Sequence, residues 1–175
     1  MFMVNMVRLS LQDKESIISM GKVLFLDIDG VLNTDRQHWH CQMNGVTPVD
    51  EFGYEFGPNA VNNLTTILEE TSAEIVISSS WKFLGLQTLQ KMWKDRNLPG
   101  TIIDITPDGD NKGWKIYEWL LKHEGQVSGY AIIDDENDMQ SEQQGHFVQT
   151  NPHFGITLKD AERVITILRQ ILISK

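Results

Sequence analysis

From Val23 onward, short apolar segments alternate with stretches whose apolar residues recur at helical spacing, and no other feature constrains the fold of this chain as strongly. Val23, Leu24, Phe25 and Leu26 are consecutively apolar and run into Asp27-Ile28-Asp29-Gly30. That pattern predicts a strand over 23–28, buried on both faces and ending in a tight turn. Pro58 stands where a helix places its first residue, ahead of Ala60, Val61, Leu64, Ile67 and Leu68. Residues 74–78 predict a second strand. A helix over 81–95 follows, stopped by Asn97, Pro99 and Gly100, then a third strand over 101–105. Ile116, Trp119 and Leu120 mark a helix over 113–124, closed by Gly125. Strands are predicted over 130–134 and 146–150. Thr157 with Asp160 three residues on forms a capping box ahead of Ala161, Val164, Ile165, Leu168, Ile171 and Leu172.

Repeated strand–helix units predict an α/β fold: one doubly wound, Rossmann-like domain with a mainly parallel five-stranded sheet and helices on both faces. The 175 residues are enough for one well-buried core, and no linker or internal repeat divides them. Residues 1–21, weakly periodic, are expected to be a loose arm with a short helix through Ser16 to Met20; residues 22–175 are the domain, with a short insert at about 34–57. The balance of 15 Lys+Arg against 24 Asp+Glu gives a charge of −9, which argues against a general nucleic-acid coat protein. The apolar runs of four residues fall far short of the ~20 needed to span a membrane. No signal-peptide cleavage site follows Met1 to Met6, and Cys41 is the sole cysteine, so the expected location is cytoplasmic, with no membrane partner.

In a parallel sheet, ligands bind at the carboxyl ends of the strands. Asp27 and Asp29 lie at that end of the first strand, and Asp134, Asp135 and Asp138 at that end of the fourth. So many carboxylates on one edge call for a cation, and an all-oxygen ligand set favours Mg²⁺ over Ca²⁺. At the same edge Ser78, Ser79 and Ser80 offer hydroxyls and backbone N–H groups where a helix begins, an anion site. Lys112 adds a positive charge at the mouth of another helix, with Lys115 as the alternative. An anion pocket beside a hard metal points to phosphate.

The segment Asp27-Ile28-Asp29-Gly30-Val31-Leu32-Asn33 resembles the first motif of the haloacid dehalogenase superfamily in its phosphatase branch. Ser78, Lys112-Gly113 and Asp134-Asp135-Glu136-Asn137-Asp138-Met139 follow in the order of the other three motifs, over about residues 22–139. The resemblance implies an aspartyl-phosphate mechanism, with Asp27 as nucleophile and Asp29 as general acid and then base. Ser78, Ser79, Lys112 and the Gly30 backbone would hold the phosphoryl group, and Asp27, Asp134 and the Asp29 carbonyl would hold Mg²⁺. Asp135 and Asp138 share or orient that ligation, and the doubled acid leaves the choice between Asp134 and Asp135 open. Superfamily ATPases usually carry Thr where Asp29 stands, and true dehalogenases lack the acidic metal pattern, which favours a phosphatase.

Neither inter-motif segment has room for a full cap domain, and capless relatives act on large substrates. The wording D-x-D-G-V-L-N, S-S-S-W and D-D-x-x-D-M resembles the capless group related to polynucleotide repair phosphatases. The implied partner is a phosphorylated substrate, a nucleic-acid end or a nucleotide. Two alternatives are a small-metabolite phosphatase using 34–57 as a partial lid, and a non-catalytic phosphate- or partner-binding module. The basic candidates for a nucleic-acid strip are Lys82, Lys91, Lys94 and Arg96. Trp39, Phe52, Tyr54, Phe56 and Trp81 flank the expected entrance, where a base could stack, although packing is the more ordinary role. His38, His40 and Cys41 lack a fourth residue at zinc spacing and read as a loop beside the site. Trp114 and Trp119 read as core or half-buried packing.

Overall fold

The computed structural model describes residues 21–170. Five strands, β1 (Gly21–Leu26), β4 (Glu74–Ile77), β5 (Ile102–Ile105), β6 (Val127–Asp134) and β7 (Phe147–Gln149), form one all-parallel sheet in the order β5-β4-β1-β6-β7. The chain therefore walks outward from β1 in one direction, then returns to the other side of β1 through β6. That reversal puts a topological switch point between β1 and β6, where open α/β sheets part to admit a ligand.

Side-chain parity divides the core into two layers. Leu24, Leu26, Ile75, Ile77, Ala131 and Ile133 face the layer of α2 (Pro58–Thr71), α3 (Leu86–Asp95) and α5 (Leu158–Arg169). Val23, Phe25, Val76 and Ile132 face Ile116 and Trp119 of α4 (Lys112–Lys122). Right-handed crossovers explain the split, because the outward β1–β4–β5 walk sets α2 and α3 on one face and the return to β6 sets α4 on the other.

The insert is more ordered than the sequence implied. The expected loop around His38, His40 and Cys41 is a helix, α1 (Asp35–Met43), with buried Thr34 accepting from the Gln37 N–H as its cap. A two-stranded hairpin, β2 (Val49–Asp50) with β3 (Gly53–Tyr54), completes it. The expected helix over 81–95 is also divided: Ser80–Leu84 is a 3₁₀ turn, and Gly85, at φ 80°, breaks it from α3. A glycine takes that positive φ without the Cβ clash that would penalise other residues. The arm expected over 1–21 lies outside the described residues except for Gly21, which opens β1; Ile171 and Leu172, expected to extend the last apolar stripe, also lie outside them. No helix among the described residues is long and apolar enough to cross a membrane.

Candidate active site

The register of the sheet assembles the site. Leu26 pairs with Ile77 on one side and with Ile133 on the other, so one step further the strands bring Asp27, Ser78 and Asp134 into a single row. The parallel ladder continues through this row, with the Ser78 N–H donating to the Leu26 carbonyl at 2.9 Å and the Asp27 N–H to the Ile133 carbonyl at 3.1 Å. All three residues share the parity of Phe25, Val76 and Ile132, so they face the α4 layer. Lys112, the first residue of α4, meets them there: its Nζ lies 2.8 Å from Asp27 Oδ2 and 2.9 Å from Asp134 Oδ1. Glu136 is a third, outer partner at 3.6 Å.

The seating of Lys112 follows from the loop after β6. Asp138 accepts from the Asn111 side chain and, at 3.1 Å, from the Lys112 N–H, while its carbonyl accepts from the Gly113 N–H at 3.0 Å. A side chain at Gly113 would place its Cβ 2.9 Å from the Asp138 carbonyl oxygen, so only glycine lets α4 dock this closely. Gln143 closes the junction by donating to the Gly113 carbonyl at 2.8 Å.

Burial sets the electrostatics. Desolvation, and then the nearby Asp27 charge, push the Asp134 carboxyl up to about 7 against the pull of Lys112. Desolvation and Asp27 raise Asp135 as well. Burial alone would lower Lys112, but the carboxylates of Asp27 and Asp134 outweigh it and hold the ammonium above its ordinary range.

Carboxylate oxygens of Asp27, Asp134 and Asp135 lie within 4.8 Å of one another. Asp134 Oδ2 is buried with no hydrogen-bond partner, and the same holds for the Ser78 hydroxyl. Buried polar atoms are normally satisfied, so two orphans in one row fit a site built for a metal and an anion. The hard oxygen donors suit Mg²⁺. Asp135 reaches the cluster because Gly30, at φ 72°, leaves space that any Cβ would fill, at 2.5 Å from Asp135 Cγ.

The other expected residues take distinct places. Asp29 is exposed, outside the three-carboxylate group, and accepts from Asn33 Nδ2 at 2.7 Å and from the Trp81 indole N–H at 3.0 Å. Ser79 is buried and caps the 3₁₀ turn by accepting from the Trp81 N–H. The Gly30 N–H donates to the Asn33 carbonyl at 2.8 Å, and Asp138 holds the start of α4. Of the basic residues, Arg96 is tied to Asp50, Lys91 to Glu51 and Asp95, and Lys82 to Asp108. Phe56 is core, Trp114 is half exposed, and Trp119 is buried with its indole on Asp104. Sequence reasoning placed Trp81 at the entrance but missed its bond to Asp29 across 52 positions, for which no local signal exists.

No curated protein matches this chain. Residues 23–161, which contain all four motifs, match a family of haloacid dehalogenase domains, and that match supports a phosphatase of this general type. The chain belongs to the family described as the HAD domain in Swiss Army Knife RNA repair proteins.

Proposed function

We propose that this protein is a Mg²⁺-dependent phosphomonoesterase that carries the phosphoryl group on Asp27 and acts on phosphorylated nucleic-acid ends. The observation that carries the reading is the row of Asp27, Ser78 and Asp134 under the Lys112 ammonium, with two buried oxygens awaiting partners. Asp27, Asp134 and Asp135 would hold the metal. Bound there, Mg²⁺ supplies Lewis-acid neutralisation of the charge on the phosphoryl oxygens.

A carboxylate oxygen of Asp27 attacks phosphorus as the bond to the leaving oxygen breaks, and Asp29 gives that oxygen its proton. Lys112 and the Ser78 hydroxyl donate to the non-bridging oxygens. In the second half, Asp29 takes a proton from water as the water oxygen bonds to phosphorus. The bond to Asp27 breaks and inorganic phosphate leaves.

The family's RNA-repair description and the absence of a full cap support a polynucleotide end as substrate. The charge of −9 and the internal pairing of Lys82, Lys91 and Arg96 favour a second reading, a small phosphorylated metabolite. The single cysteine, buried Cys41, supports a cytoplasmic setting. The test is phosphate release, with and without Mg²⁺, from 3′- and 5′-phosphorylated oligoribonucleotides, mononucleotides and sugar phosphates. The primary reading expects kcat/KM to rise from mononucleotide to oligonucleotide; equal or better turnover of a sugar phosphate would favour the second. Absence of turnover on every phosphomonoester would leave a binding module.

A further inference from the structure

Asp29 sits at the centre of a chain of hydrogen bonds that the four motifs do not account for. Its Oδ2 accepts from the Trp81 indole N–H at 3.0 Å, and its Oδ1 accepts from Asn33 Nδ2 at 2.7 Å. With the Asn33 amide nitrogen donating to Asp29, its Oδ1 must accept, and His38 Nε2 lies 2.6 Å away. That fixes the His38 tautomer with the proton on Nε2. The far ends of the chain are themselves held. The His38 ring packs on Tyr54, with centroids 4.4 Å apart, and Trp81 packs edge-on against buried Phe56 at 5.7 Å.

An exposed aspartate ordinarily samples several rotamers, and a proton donor that does so is misplaced for part of every turnover. Here both carboxylate oxygens are engaged, each from a different side: the 3₁₀ turn after β4 supplies Trp81, while the loop after β1 and helix α1 supply Asn33 and His38. The geometry points to Trp81 and His38 as positioning residues that fix the Asp29 carboxylate, Trp81 directly and His38 through Asn33. This inference rests on the reading of Asp29 as the group that protonates the leaving oxygen. It assigns the insert a part in the chemistry, since α1 carries His38 and β3 carries the Tyr54 that backs it.

Two substitutions each remove one N–H and keep a ring: Trp81→Phe and His38→Phe. The readout is the dependence on the leaving group of kcat/KM, which reports the steps through leaving-group departure and leaves out the later hydrolysis of the intermediate; a merely structural role would not change that dependence. Dinitrophenolate departs without a proton, whereas an alkoxide requires one. For Trp81→Phe we expect a roughly tenfold loss in kcat/KM on an alkyl phosphate, the lower range for a hydrogen bond to a charged group, and less than about twofold on dinitrophenyl phosphate. His38→Phe should show about a threefold loss of the same kind, smaller because it acts through Asn33. Both should keep the wild-type thermal midpoint, which certifies folding. Equal losses on the two substrates, or none on either, would overturn the inference while leaving the phosphatase reading intact, provided Asp29→Asn itself shows the leaving-group effect. If Asp29→Asn shows no such effect, or the wild-type protein turns over neither substrate, the reading beneath it fails and the inference fails with it.

Discussion

The two carboxylates proposed for the chemistry, Asp27 and Asp29, lie two residues apart and are held by different physics. Asp27 is buried in the sheet row, shares one ammonium with Asp134, and owes its place to strand register. Asp29 is exposed, carries no cation partner among the described residues, and owes its place to two side-chain hydrogen bonds. In the buried half, charges are expensive and must balance, so function and stability are tied together. In the exposed half water screens the charge, so geometry can be tuned at small cost to the fold.

The contrast yields separable outcomes. Asp27→Asn should lower kcat by at least about a thousandfold, as loss of a nucleophile does, with no fall in thermal midpoint, because one of two carboxylates competing for Lys112 is gone. Phosphate release and a thermal melt on the same sample check both. Lys112→Met should cost about a hundredfold in kcat and also about 3 kcal/mol in stability, since it leaves two buried carboxylates without their cation. Urea titration in EDTA reads the second effect. Asp29→Asn should match the kinetic loss on alkyl phosphates at about a hundredfold, yet shift stability by no more than about 0.5 kcal/mol. Were Asp29→Asn as destabilising as Lys112→Met, the distinction between the halves would collapse.

The pH response belongs to the buried half. In protein stripped of metal, the folded state holds a proton on Asp134 up to about pH 7, whereas the unfolded chain releases it near the ordinary value of 3.8. A carboxyl raised in this way stabilises fully below the unfolded value, and that contribution is lost as pH rises through the folded one. The midpoint in EDTA should therefore fall between about pH 4 and about pH 7, and Mg²⁺, which displaces that proton, should raise it more at the top of this window than at the bottom. Calorimetry with and without Mg²⁺ checks the sign. Gly30→Ala, where positive φ and the approach of Asp135 act together, should cost about 1–3 kcal/mol in a urea titration and weaken Mg²⁺ binding.

The same division explains what could be read in the sequence. The five strands and the row of Asp27, Ser78 and Asp134 were legible because apolar runs ending in polar residues report strand ends locally, and Lys112 because it opens a helix. α1 was not, because Asp35-Arg36-Gln37-His38-Trp39-His40 carries no apolar stripe; its one signal was Thr34 followed by Asp35, a cap and a first-turn acid. Gly85 could have announced the break between the 3₁₀ turn and α3. The contacts of Trp81 with Asp29 and of Arg96 with Asp50 join residues 52 and 46 positions apart, and nothing local encodes them.

The central claim is that Asp27 becomes the phosphoryl carrier, and the most direct measurement is to trap that species. Protein mixed with a fast aryl phosphate and Mg²⁺ and quenched in acid should gain the mass of one phosphoryl group, located by peptide mapping on the segment containing Asp27 and absent from Asp27→Asn. A phosphoryl group found on any other residue, or a turnover-competent protein that never acquires one, would contradict the account.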